Sequence, residues 1–132
     1  MITTLYAALL AILYLCLTAY VIQGRYKYRV GLGDGGNPAL ARRIRIHGNF
    51  VEYAPFGLLL LFFLDDAQTS PLIVHILGLM LLLGRILHPW GISCSETTSF
   101  GRAAGMILTI LMIAIAAILL LWKYIALRVI GF

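Results

Sequence analysis

Charge is scarce in this sequence. Only 11% of its 132 residues are charged, and five are acidic. Soluble domains carry about a quarter charged residues, so a water-facing globular surface is excluded. The mean hydropathy of +0.99, with 62% hydrophobic residues, exceeds what a soluble core of this size could bury. Cysteine is nearly absent too. Cys16 falls within an apolar run and Cys94 in a Ser/Thr-containing stretch, so no disulfide framework is expected and both are read as free thiols. The N-terminus lacks the basic region and short apolar run of a signal peptide; it is read as a retained first helix.

What is present is long apolar runs. Spans of about 20 residues cross a bilayer, and four fit the length. They are placed at about 2–23, 39–64, 71–90 and 102–123, giving one all-α, four-helix membrane domain over 1–132. The apolar part of the second span, 53–64, is too short to cross alone. That helix must therefore extend back through Glu52, Asn49 and Arg45. Glu52 lies twelve steps from Leu64, or ~18 Å along the axis, which is inside the hydrocarbon. The turn 65–70 is short, so the second and third spans form a hairpin. It sets Arg85, ~21 Å from Pro71, at a depth similar to Glu52.

The basic residues fix the orientation. Arg25, Lys27, Arg29, Arg42, Arg43 and Arg45 crowd the first connection, with only Asp34 among them. By the positive-inside rule this connection is cytoplasmic and both termini are non-cytoplasmic. The pattern is a topology signal, and no nucleic-acid partner is expected. Arg42 and Arg43 are read as no more than such topology charges, His47 as interfacial, Cys94 as inert and Glu96 as a solvated loop charge. The Gly-rich segment 31–36 lacks the Walker spacing and is read as a linker.

Arg42, Arg45, Asn49 and Glu52 recur at i, i+3, i+7 and i+10, one stripe of a helix. Polar groups at this depth are costly against lipid, so the stripe is expected to face other helices or a wet cavity. Arg85 and His88 share a face of the third span. A buried ion pair of Glu52 with Arg85 is one way to satisfy them. Pro55 should bend the second helix and could open a cleft. Guanidinium groups suit carboxylates, Glu52 suits an ammonium group, and a cation beside a thiol favours the thiolate. The set fits a small zwitterionic molecule with several carboxylates; no metal site is expected.

The stretch from Arg42 to Pro55 (RRIRIHGNFVEYAP) and the segment Gly84 to His88 (GRILH) resemble the signature of the MAPEG family, the membrane-associated proteins of eicosanoid and glutathione metabolism, with a length closest to bacterial members. The resemblance implies a homotrimer in a bacterial inner membrane, binding glutathione as co-substrate between subunits near the cytoplasmic side. It assigns glutathione contacts to Arg45, Asn49, Glu52, Tyr53, Arg85 and His88, and thiolate stabilisation to Arg102. The implied activity is glutathione transfer to lipophilic electrophiles arriving through membrane lipid, or peroxidase action on lipid hydroperoxides, in detoxification. Two departures stand out: Ile92 occupies a position where the family often has tyrosine, with Trp90 nearby, and Gly48 stands where prostaglandin synthase has arginine. Alternative functions are a non-catalytic lipid binder of the same fold and a small multidrug transporter; the uncharged first helix disfavours the transporter.

Overall fold

The computed structural model describes residues 1–94 and 100–130. Four helices follow in chain order: α1 Thr3–Tyr28, α2 Pro38–Asp66, α3 Pro71–Cys94 and α4 Phe100–Ile125, the last continuing into a π-helical turn, Ala126–Ile130. Each of α1 to α4 is long and apolar enough to cross a membrane, and the protein is an all-α, multi-pass membrane bundle.

The helices overrun the expected spans. α1 continues past Gln23 to Tyr28, where Arg29 takes the left-handed conformation and Val30 N donates to Arg25 O at 3.1 Å. Charge after an apolar run marks where a helix leaves lipid, but a helix ends only where its backbone finds a stop signal. α3 likewise runs through Pro89 to Cys94, so the backbone at Cys94 is helical and not in a loop. Glu96 and the side chain of Cys94 lie outside the described residues. α2 begins where local chemistry asks for it: Asn37 Oδ1 accepts from Ala39 N and Leu40 N, with Pro38 in the first turn.

At the acidic end, the turn between α2 and α3 ties several helices together. Asp65 Oδ2 accepts from Thr3 N at 2.8 Å, placing a carboxylate at the N-terminus of α1, where the helix dipole favours it. Lys123 Nζ of α4 donates to Ala67 O at 2.9 Å. One turn below, the Tyr6 hydroxyl donates to His75 O at 2.9 Å, and its ring fills the space above Gly78. At the basic end, Arg43 crosses from α2 to α1. Its Nη1 donates to Tyr20 O at 2.8 Å, and its guanidinium lies 4.0 Å from the Tyr20 ring centre. Gly24 leaves room for it. Arg43 is thus a helix clamp as well as a topology charge. His47 also packs on α1, with Nε2 3.1 Å from Thr18 Oγ1 and its ring beside Tyr14.

Lipid gives helices no hydrophobic reason to associate, so close approach through small residues and a few polar contacts must do it. α3 and α4 meet in this way. Gly101, Gly105, Thr109 and Ala116 of α4 are buried along one stripe. A Cβ on Gly105 would lie 2.6 Å from His88 N and 2.7 Å from Gly84 O. The remaining core is aliphatic, built on Leu10, Leu61, Leu64, Leu77, Leu81 and Met112.

The α3–α4 contact can be tested against a glycine with open space. Gly105→Val should destabilise by about 1–3 kcal/mol, as overpacking does. Gly48→Ala, whose Cβ meets nothing within 4 Å, should stabilise by up to about 1 kcal/mol through helix propensity. Thermal unfolding of both variants in one detergent measures this.

Candidate polar site between the second, third and fourth helices

Arg85 is the centre of the polar cluster. It is 1% exposed, although it sits ~21 Å along α3. Its Nε donates to Thr109 Oγ1 at 3.1 Å, and its Nη1 donates to Asn49 Oδ1 at 2.8 Å and to Asn49 O at 3.4 Å. Nη2 approaches Met106 Sδ at 3.6 Å. The Tyr53 ring lies 5.5 Å from the guanidinium carbon, within cation–π range. Every partner described for this cation is neutral. Thr109 itself donates to Gly105 O at 2.9 Å, so its lone pairs are held toward Arg85.

Asn49 and Arg85 therefore come together as a buried pair. Glu52 does not join them. It is turned to the outer edge of α2, where Arg45 Nη1 and Nη2 donate to its two carboxylate oxygens at 3.0 and 3.4 Å. Both side chains are largely exposed in the single chain, 65% for Arg45 and 47% for Glu52. The expected stripe thus straddles a boundary: Asn49 faces inward, while Arg45 and Glu52 face outward. Relative to Asn49, Arg45 at i−4 and Glu52 at i+3 are offset to the same side by about 40° and 60° around the helix, enough to separate them from it. Glu52 pairs with Arg45 rather than with Arg85.

His88 is 4% exposed, one turn from Arg85 toward the basic end. Arg85, Arg102 and Arg45, from α3, α4 and α2, lie near enough for their charges to act on it. Arg102 lies in the first turn of α4 and is exposed. Ile92 is buried at 9%, and Trp90 is 62% exposed, its ring edge beside Gly101. α2 runs unbroken through Pro55. An apolar groove of about 190 Å³ lies next to that proline, lined by Ala7, Leu10, Ala11, Tyr14, Phe50, Ala54 and Leu58. It lies between α1 and α2, and Glu52 is not part of its wall.

Thr109 and Met106 were not among the expected site residues. A threonine four residues after a glycine in an otherwise apolar helix was the available signal. It gained meaning only once α4 was known to pack against Arg85.

The model of the MAPEG family matches residues 3–122. Inner membrane protein YecN of Escherichia coli is 43% identical over 91 residues, covering 69% of this chain and 70% of that protein. Uncharacterized protein sll1147 of Synechocystis is 35% identical over 121 residues, covering 90% and 88%. With the four apolar helices, these likenesses make the chain a multi-pass protein of the bacterial inner membrane.

The buried pair sets a stability order. Asn49→Leu leaves a buried cation short of an acceptor and should cost about 2–3 kcal/mol. Arg85→Met removes the cation itself and should cost less, because neutral hydroxyl and amide groups are easier to leave behind than a charge. Chemical unfolding in mixed micelles reads the order.

Proposed function

Because this chain belongs to the MAPEG family, we propose that it is a glutathione-dependent transferase and peroxidase acting on lipophilic electrophiles and hydroperoxides dissolved in the membrane. The observation that carries this reading is the buried Arg85, held by Asn49 of α2 and Thr109 of α4, with the Arg45–Glu52 ion pair displaying both charges at the outer edge of the same α2. Glutathione has two carboxylates, one ammonium group and one thiol. Arginines suit the carboxylates through bidentate hydrogen bonds, and Glu52 suits the ammonium group.

The roles follow from position. Arg85, pinned by Asn49 and Thr109, supplies a fixed positive field from inside the bundle. Tyr53 lies beside it and offers a phenol. Arg45 and Glu52, already aligned with each other, present a cation and an anion to the two ends of an amino-acid moiety. Arg102, exposed in the first turn of α4, is the cation that would meet the thiol and favour its thiolate. In transfer, the thiolate sulfur attacks an electrophilic carbon and the leaving group departs with its electron pair. With a hydroperoxide, the sulfur takes the terminal oxygen, the alcohol leaves, and a second glutathione yields the disulfide and water.

The exposed Arg45–Glu52 pair also supports a homotrimer. Glu52 lies ~21 Å from the acidic end of α2, within the hydrocarbon, and a charge pair facing lipid at that depth is costly. A neighbouring copy packed over this edge would cover the pair and close the site around the tripeptide. The apolar second substrate would then reach the thiolate from the bilayer.

Purified protein should conjugate glutathione to 1-chloro-2,4-dinitrobenzene, releasing chloride. Arg102→Ala should lower kcat by about 100-fold, the scale of losing a donor that stabilises developing or bound anionic charge, with little change in KM for glutathione. Glu52→Gln should raise that KM and leave kcat nearly intact. Steady-state kinetics with glutathione varied separates the two effects. Equal activity in both variants would contradict the site assignment, and a lack of any conjugation or peroxidase activity would favour a lipid-binding role.

A further inference from the structure

One arm of Arg85 is held only loosely by the bundle. Nε and Nη1 are taken by the oxygens of Thr109 and Asn49 at 3.1 and 2.8 Å. Among the described contacts, Nη2 meets only the thioether of Met106, with Sδ at 3.6 Å. A thioether is a weak acceptor, so this arm of a buried cation is short of a strong one. Met106 is half-buried rather than sealed in. It follows Arg102 by four residues, so the two share a face of α4, with Met106 ~6 Å deeper. The sulfur thus lies one turn below the exposed Arg102 and beside the buried Arg85. The neighbouring Ile107 and Ile110 are exposed on the outer side of α4.

The other methionines have different surroundings. Met80 packs, partly buried, against the aliphatic core. Met112 is fully buried, and Met1, at the opposite end, is exposed. Among the described contacts, Met106 is the methionine that meets a cation.

We propose that Met106 is a modification site: a lipophilic hydroperoxide converts it to the sulfoxide, and Nη2 of Arg85 holds the new oxygen. A lone pair on Sδ attacks the terminal peroxide oxygen, and the O–O bond breaks. The electron pair leaves with the alkoxide, which takes up the proton of the transferred hydroxyl. The products are a sulfoxide and an alcohol; the sulfur is oxidised and the hydroperoxide is reduced. The cation favours this step in two ways. It stabilises charge developing on the departing alkoxide, and it gains a charge-assisted hydrogen bond in place of a weak one. Methionine sulfoxide reductases reverse the change. Resting on the glutathione reading above, the consequence is regulation. Nη2 is the arm of Arg85 most open to a carboxylate, and the sulfoxide oxygen would occupy it. Hydroperoxide in excess of the thiol would then weaken glutathione binding until the sulfoxide is reduced.

The test treats the intact protein, in detergent micelles without glutathione, with cumene hydroperoxide and follows each methionine by peptide mass spectrometry. Met106 should gain one oxygen at least about tenfold faster than Met80, the scale of a single stabilising cation. Met106→Gln, whose amide oxygen stands in for the sulfoxide, should unfold within about 2 °C of the wild type, whereas Met80→Gln should lose about 5 °C or more through a buried amide without a partner. Glutathione affinity, read by calorimetric titration, should fall about tenfold after oxidation, the scale of one lost charge-assisted hydrogen bond, and return after reductase treatment. Oxidation of Met80 as fast as Met106, or a loss in Met106→Gln as large as in Met80→Gln, would overturn the proposal. So would unchanged glutathione affinity after full oxidation of Met106. Preferential oxidation of Met106 in a protein that binds no glutathione even before treatment would support the modification site and contradict the transferase reading.

Discussion

Holding one arginine inside an apolar bundle is the constraint on which this structure turns. A cation placed in the middle of a membrane protein must be surrounded by acceptors, because lipid supplies none. Arg85 meets that need with Asn49 from α2 and Thr109 from α4. The three helices are therefore fixed in rotation as well as in position. The glycine contact of α3 with α4 follows from the same demand, since Thr109 reaches Nε of Arg85 only if the backbones approach as closely as Gly84 and Gly105 permit. Polar satisfaction and small-residue packing are thus two aspects of one arrangement.

The two ends of the bundle complement this centre differently. The acidic end is fastened by backbone and carboxylate contacts from Thr3, Asp65, Ala67 and Lys123. The basic end is held by Arg43 against Tyr20 and presents Arg45, Glu52 and Arg102 outward.

Much of this was legible in the residues. Lipid imposes length and apolarity on every span, so four helices and their order could be read directly. The depth of Asn49, Glu52 and Arg85 followed from counting steps along a helix. Rotation was harder. Asn49 and Glu52 are close enough around α2 to look like one stripe, yet the bundle boundary passes between them. Between Arg102 and Lys123 α4 is apolar except for Thr109, so its pattern offered one polar residue but did not say which helix Thr109 and Met106 would meet. Arg43 read as a charge at the membrane edge because a clamp requires knowing that Gly24 on α1 lies opposite. The extra turn of α1 was hidden by Arg25 and Lys27, whose charge marks the end of the hydrocarbon rather than the end of the helix.

The central proposal is that the polar site built around buried Arg85 holds glutathione and shifts its thiol toward the thiolate. Ultraviolet difference absorbance on mixing the purified protein with glutathione at neutral pH reads thiolate formation directly, without a second substrate. A saturable thiolate band that vanishes with S-methyl glutathione is the expected result. No band at millimolar glutathione, in protein shown to be folded, would contradict the account.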